Sequence, residues 1–329
     1  MFTNQTLLVT GGTGSWGQEL VRKLLLEQPR EIRIFSRNEF TQVRMQREFQ
    51  FNPKLKFIIG DVRDLEALDA ACKNVDYLFH LAALKHVPVC EDQPDEALKT
   101  NVKGTENVIR ASIRNQVKKV IDVSTDKAVN PINFYGMTKA LGEKLMIRAN
   151  SLDTSTRFVC IRGGNVLGTN GSVVPFFKNR ILQGEDLPLT DKEMTRFFLT
   201  LSEAIDLLLS AARAAIGGET FVMKMNACRI TDITDVLLDR LSTKTLHVRE
   251  VGIRPGEKLH EVLISEHETP YTYQYSDKYF VILPSNADPD LYSHYNHLPK
   301  TMITQYASND LLMNTNEVQE MLEQGGFLP

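Results

Sequence analysis

The sequence predicts an α/β fold: a Rossmann-type, doubly wound parallel sheet with a smaller C-terminal α/β domain. Three observations predict it. Short apolar runs alternate with helical spacing through the first half of the chain, the first run ends in a glycine-rich turn that opens a helix, and the rhythm changes after RFVCIRGGNVLG.

TLLVTGG is a strand ending in glycines, and Gln18–Glu27 has helical spacing. EIRIFSR is the second strand, and KLKFIIGDVRD, VDYLFHLAA and KKVIDVSTD are further runs of this type. A long helical stretch, roughly Pro94–Asn115, lies between the last two. Right-handed crossovers bring the strand C-termini to one edge, where ligands bind. Beyond them, GTNGS is a loop, VVPFFKNRILQG a short helix, and LPLTDKEMTRFF a mixture of strand and loop. LSEAIDLLLSAARAAIGG is a helix stopped by its Gly pair, and FVMKM returns to the sheet as a strand. ITDITDVLLDRL, REVGIRPGEKLHEVLI and KYFVILP are shorter pieces of a smaller domain over the sheet edge. The polar tail after Pro284 wraps the surface before a last helix, Asn316–Gln324. The expected division is 1–163, with 200–228 returning to it, against 164–199 and 229–329.

The 329 residues fit one large or two smaller domains. A net charge of −3 excludes the basic excess of a nucleic-acid surface. No apolar run reaches the length of a membrane span, and the N-terminus enters a strand without a signal-peptide pattern. Cys72, Cys90, Cys160 and Cys228 lie scattered, mostly in apolar segments, and read as reduced core thiols. His86 and His260 lack paired ligand spacing, so no metal is expected. The expected location is the cytoplasm, with neither nucleic acid nor membrane as partner.

VTGGTGSWGQEL holds two overlapping glycine patterns, one through Gly12, Gly14 and Gly17 and one through Gly11, Gly14 and Gly17. Glycines there serve a tight turn, close approach of backbone to a pyrophosphate, and helix–strand packing. The helix N-terminus adds free N–H groups and a positive dipole end. A Gly-rich turn is the plainer reading, but the strand–turn–helix context favours a dinucleotide. The second strand ends in IFSRN, where an acid would accept from the ribose 2′-hydroxyl of NAD. Ser36 and Arg37 suit a 2′-phosphate instead, so NADP is the expected cofactor. Asp61 and Val62 are placed for the adenine edge, and Trp16 reads as packing beneath the glycine loop.

In STDKAVNPINFYGMTK, Tyr135 and Lys139 stand four apart on one helix face. The charge of Lys139 favours ionised Tyr135 and lowers the phenol from about 10. A tyrosinate can take a hydroxyl proton as hydride leaves the same carbon. Following a strand that ends in Ser124 and Thr125, the pair resembles that of the extended short-chain dehydrogenase/reductase family, with Thr125 as hydroxyl partner. A simple reductase needs neither Asp126 nor Lys127, and a solvated pair is the plainer reading of that dipeptide.

The resemblance narrows on further motifs. STDKAVNPINFYGMTK, ALKHVP, GSVVPFFK, MTRFF, GIRPGEKLHEVLI and YASNDLL are similar to those of the inverting UDP-N-acetylglucosamine 4,6-dehydratases, over nearly the whole chain. This resemblance implies a lyase of the hydro-lyase type. Tyr135 takes the C4 hydroxyl proton while NADP accepts hydride. A neutral Lys127 takes the C5 proton, and a protonated Asp126 serves the departing C6 oxygen. Hydride returns to C6, and a proton reaches C5 from the opposite face. The product is UDP-2-acetamido-2,6-dideoxy-β-L-arabino-hex-4-ulose, an intermediate of pseudaminic acid or related surface glycans, and the tightly bound NADP is regenerated. AspH with neutral Lys is a tautomer of the ion pair; desolvation in a closed site favours it, and the two groups titrate as a unit. The membrane-bound retaining branch has methionine where Tyr135 stands, which favours the soluble inverting branch. Gly163 departs from the tyrosine common in relatives, and Met137 is larger than the usual residue.

The resulting cofactor set is Gly11, Thr13, Gly14, Ser15, Trp16, Gly17, Ser36, Arg37, Asp61, Val62, Leu81, Ala82, Lys85, Thr100, Asn101, Tyr135, Lys139 and Val166. By the same resemblance, the sugar nucleotide meets Lys85, Asn165, Val173 and Thr190, while Arg254, Pro255, Gly256 and Glu257 grip the diphosphate and its ribose. Arg254 can bind phosphate bidentately, and Arg196 is a second candidate with a structural alternative. A homo-oligomer is expected, paired through the helices around 96–114 and 135–149 or closed into a larger ring such as a hexamer. A UDP-sugar 4-epimerase and a non-catalytic NADP-binding regulator are the competing functions.

Overall fold

The computed structural model describes residues 1–152, 155–169 and 171–328. Asn170, in the expected GTNGS loop, lies outside them. The first half is β1 (Thr6–Thr10), α1 (Ser15–Leu26), β2 (Glu31–Ser36), α2 (Glu39–Glu48), β3 (Leu55–Ile59), α3 (Leu65–Cys72), β4 (Tyr77–His80), α4 (Val87–Asp92), α5 (Pro94–Ala97), α6 (Gly104–Arg114), β5 (Lys119–Thr125), α7 (Phe134–Ala149) and β6 (Arg157–Gly163). There follow β7 (Asn165–Val166), α8 (Val173–Gln183), β8 (Leu187–Leu189), β9 (Thr195–Leu199), α9 (Leu201–Ala214), β10 (Thr220–Met223), β11 (Asn226–Arg229) and α10 (Ile230–Leu241). The chain ends with β12 (Val248–Glu250), β13 (Val262–Ile264), β14 (Thr272–Gln274), β15 (Tyr279–Ile282), α11 (Pro289–Tyr295), β16 (Tyr306–Ala307) and α12 (Thr315–Gln324).

The central sheet has the order β14-β15-β10-β6-β5-β4-β1-β2-β3. Every pairing from β10 to β3 is parallel. Strands covered on both faces must be apolar throughout, and all five residues of β1, TLLVT, are buried. Leu20, Leu24, Leu208 and Ala212 of α1 and α9 join the core on one face; Leu68, Val108 and Met146 of α3, α6 and α7 join the core on the other. Side-chain caps start the helices: Asn38, Asp64 and Asn133 accept from first-turn N–H groups, and Thr200 with Glu203 forms a capping box. A smaller core gathers Phe177 and Ile181 of α8, Ile233 and Leu237 of α10, and Val318 and Leu322 of α12.

Three expectations are corrected. KYFVILP, assigned to the small domain, forms β15, and β15 pairs antiparallel with β10 in the central sheet. Helix α9 does not stop at its glycines: Ala215 turns extended, while Gly217 and Gly218 take positive φ in the turn beyond. The amine of Lys119 on β5 donates to the carbonyls of Ala212 and Ala215, supplying the cap. The helix expected over 94–115 contains a π-helical stretch, Leu98–Lys103.

Arg162 on β6 fastens the layers together. Its guanidinium donates to Glu143 of α7 (2.7 Å), to Glu268 (3.0 Å) and to the carbonyl of Leu263 (2.8 Å). Arg162 and Glu143 are both buried. Arg162→Met leaves Glu143 without its cation, and unfolding in urea should show a loss of about 3–5 kcal/mol. A loss well below 1 kcal/mol would mean that the triad does not hold these layers.

Candidate active site

β5 ends at the C-terminal edge of the sheet and runs into a single 3₁₀ turn, Asp126–Ala128. That turn places Asp126 and Lys127 beneath the first turn of α7. Gly136 permits the approach, because a Cβ there would strike the Lys127 carbonyl oxygen. The glycine inside YGMTK is therefore part of the site's construction.

Thr125, Asp126 and Lys127 form one hydrogen-bonded cluster, with the Tyr135 phenol beside it. Thr125 Oγ1 donates to Asp126 Oδ1 (2.9 Å), and its hydroxyl also favours the ionised form of the Tyr135 phenol. Lys127 Nζ donates to the same Asp126 oxygen at 3.0 Å and to Asn165 Oδ1 at 3.3 Å. Asp126 is fully buried, and its Oδ2 has no hydrogen-bond partner. A buried acceptor without a donor is costly, so this oxygen is a point of electrostatic strain in the site.

Two electrostatic expectations change. Burial pushes the Tyr135 phenol above its ordinary value; Lys139 and Lys127 pull it down without prevailing. Burial works against the charge on Lys127, but Asp126 and Glu261 outweigh it and hold the amine above its ordinary value. The amine of Lys127 is thus held in its charged form, first by Asp126 and then by a second carboxylate, Glu261, whose Oε1 lies 3.5 Å from Nζ. Lys139 is expected to stay charged, and it does: burial opposes the charge, but Asp122, 3.5 Å away, raises the amine. Asp122 is itself pushed up to about 6 by burial, with Lys139 opposing the rise.

The glycine loop fits a dinucleotide. Gly11 has φ +68°, and a Cβ there would sit 2.8 Å from the Ala82 nitrogen. Gly17 abuts the carbonyl of Gly12. No side chain caps the first turn of α1, so the N–H groups of Ser15, Trp16 and Gly17 are left for an anion. Trp16 packs on the core. Thr13 accepts from Gln18, and Leu81 and Ala82 leave β4 hydrogen-bonded to Thr10. Gln42 holds Ser36, while Arg37 is exposed. Asp61 is engaged by Arg63 at 2.6 Å, and Val62 packs under Gly104. Thr100 and Asn101 sit buried in the π-helical stretch. Asn101 clamps the backbone of Leu84, and Thr100 Oγ1 has no partner. Val166 is a core residue of β7, and Lys85 follows β4, its amine lowered by burial and by Lys127.

The RPGE loop is tied to the active-site helix. Gly256 has φ +80°, and its carbonyl accepts from Asn133, the residue that caps α7. This leaves Arg254 exposed, 3.7 Å from Glu257 and next to Pro255. Arg196 is committed elsewhere: it donates to the carbonyls of Thr195, Leu259 and Lys258. Its observed work is to hold that loop. Val173 begins α8 and Thr190 follows β8; no hydrogen bond or ion pair ties either to the Asp126–Lys127 cluster. His260 bonds Thr195. Glu261, Lys258, Asp122 and Asn133 were not found from the sequence. Glu261 lies within the GEKLHE motif, but nothing local marks its carboxylate as buried beside Lys127.

A protein-family model described as "Polysaccharide biosynthesis protein" matches residues 7–283. A Campylobacter jejuni protein named UDP-N-acetylglucosamine 4,6-dehydratase (inverting) is 46% identical over 290 residues, covering 87% of this chain and 84% of that one. A Rickettsia rickettsii protein named UDP-glucose 4-epimerase is 42% identical over 332 residues, covering 98% and 96%. The X-ray structure of Pen from Bacillus thuringiensis superposes with a TM-score of 0.91 at 35% identity, covering 98% of this chain and 99% of that one.

Proposed function

We infer that this chain, a member of the polysaccharide biosynthesis family and of the extended short-chain dehydrogenase/reductases, is an inverting UDP-N-acetylglucosamine 4,6-dehydratase. One observation carries the reading: a buried acid, Asp126, and a partly exposed amine, Lys127, share a hydrogen-bonded cluster with Thr125, beside the Tyr135 phenol. Exchange of configuration at C4 needs only the phenol and its hydroxyl partner. Elimination across C5–C6 needs a second base and a second acid.

The nicotinamide dinucleotide, when bound at the glycine loop, supplies reversible hydride transfer. In this reading it is NADP: Arg37 stands exposed at the end of β2, and Asp61, the nearby acid, is occupied by Arg63. Tyr135 takes the C4 hydroxyl proton, helped by the charges of Lys139 and Lys127 and by Thr125. Lys127 transfers its proton to Asp126 and then takes the proton at C5. Asp126 gives the proton it received to the C6 oxygen that leaves. Asn165 holds Lys127 and reaches the sugar side. Arg254, Pro255, Gly256 and Glu257 receive the diphosphate, and Lys85, Val173 and Thr190 border the sugar nucleotide. Arg196 acts through the loop that it holds.

Among the described residues no helix is long and apolar enough to cross a membrane. The reading places the enzyme in the cytoplasm as a homo-oligomer, with exposed Leu98, Met137 and Leu141 as surface for a second copy. The Rickettsia rickettsii relative keeps a second reading open, a UDP-sugar 4-epimerase.

Incubation with UDP-N-acetylglucosamine should give a dehydrated 4-keto product. UDP-N-acetylgalactosamine would establish the epimerase instead, and tight NADP binding without turnover would indicate a regulator. Lys127→Ala should lower turnover about 10²–10⁴-fold; wild-type turnover would contradict its role. Binding titrations should favour NADP over NAD, and the reverse order would remove Arg37 from the cofactor site.

A further inference from the structure

We propose that Glu261 is a positioning residue for Lys127: beside the two acceptors Asp126 and Asn165 it adds a third, ionic contact that aims the amine and sets the pH range in which the Asp126–Lys127 unit works. The proposal rests on the reading of Lys127 as the C5 base.

An ammonium has three N–H donors. Around Lys127 Nζ stand Asp126 Oδ1 at 3.0 Å, Asn165 Oδ1 at 3.3 Å and Glu261 Oε1 at 3.5 Å. They come from three places in the chain: the turn after β5, β7, and the residue before β13. Glu261 is only 2% exposed. Its backbone is locked, since its N–H donates to Ser308 Oγ at 2.9 Å and its carbonyl accepts from the Ser308 N–H at 2.8 Å. Ser308 is in turn bonded to Thr195.

The carboxylate has no other close partner. Arg196 Nε is 3.8 Å away, while the other two nitrogens of that guanidinium donate to carbonyls. Lys258 Nζ is 3.9 Å away and donates to the carbonyl of Val129. Glu261 Oε2 accepts no hydrogen bond. A buried carboxylate held this loosely costs stability that an apolar side chain would not. Its shortest ionic contact is the amine of Lys127.

The charged and titratable groups around Lys127 are Asp126 on its own turn, Tyr135 on α7, Lys85 after β4, Arg196 on β9, and Lys258 and Glu261 before β13. Burial and Arg196 disfavour the charge on Lys127; Asp126 and Glu261 outweigh them. Removing the Glu261 charge makes every proton in the unit easier to lose, so the working pH range moves down. Removing the positive charge of Lys258 makes each proton harder to lose, and the range moves up. A purely structural Glu261 predicts neither shift.

The test is the pH dependence of single-turnover water loss from UDP-N-acetylglucosamine. Glu261→Gln should move the whole profile down by about one pH unit and lower its maximum, with apparent substrate affinity little changed. Glu261→Asp, which keeps the charge on a shorter arm, should lose rate while holding the wild-type pH position. Lys258→Met should move the profile up, and it decides the matter alone if Glu261→Gln does not fold. Unshifted profiles in these variants overturn the proposal, as does a Glu261→Gln effect confined to substrate affinity. A wild-type enzyme that releases no water overturns the functional reading instead.

Discussion

The site is built around an amine whose side chain is only 21% exposed. Lys127 is held by two carboxylates and an amide, and stripping water from such charges costs several kcal/mol per ion unless partners are already in place. Those partners come from separate parts of the fold. The parallel sheet delivers the end of β5, α7 closes over the turn through Gly136, and Arg196 and Ser308 hold the strand that brings Glu261. The Arg162 triad joins α7 to the segment after β13, so the helix bearing Tyr135 and the strand beside Glu261 share one anchor.

Thr125 links the two halves of the chemistry. Its hydroxyl donates to the carboxylate proposed to serve C6 and favours the ionised form of the phenol proposed to work at C4. The proposed redox and elimination groups therefore share one polar neighbour. The two lysines remain distinct. Lys139 is fixed over Asp122 and stays charged, whereas Lys127 shares its carboxylate with a threonine and faces an unpartnered oxygen.

Whatever depended on near neighbours in the chain was legible in the sequence. The strands β1 to β6, the glycine loop and the Tyr135–Lys139 spacing follow from local period and turn chemistry. So did the identity of Asp126 and Lys127, but not their state. The Lys127 charge is supported by Asp126 beside it and also by Glu261, which only the fold brings near. The Tyr135 phenol depends on how completely α7 buries it. The same limit applies to β15, whose apolar run fits either domain until its pairing with β10 is seen. It applies as well to the end of α9, capped by a lysine from another element rather than by its own glycines. Arg196 stood between a phosphate ligand and a structural residue, because a sequence cannot show that two of its nitrogens donate to backbone carbonyls.

The central claim is that Lys127 and Asp126 remove the C5 proton and the C6 oxygen, and that C5 is reprotonated from the opposite face. NMR of the product formed from UDP-N-acetylglucosamine in deuterated water tests it most directly. The account predicts a 4-keto-6-deoxy sugar with deuterium at C5 and the L-arabino configuration. A product that keeps its original hydrogen at C5, or its C6 hydroxyl, would contradict it.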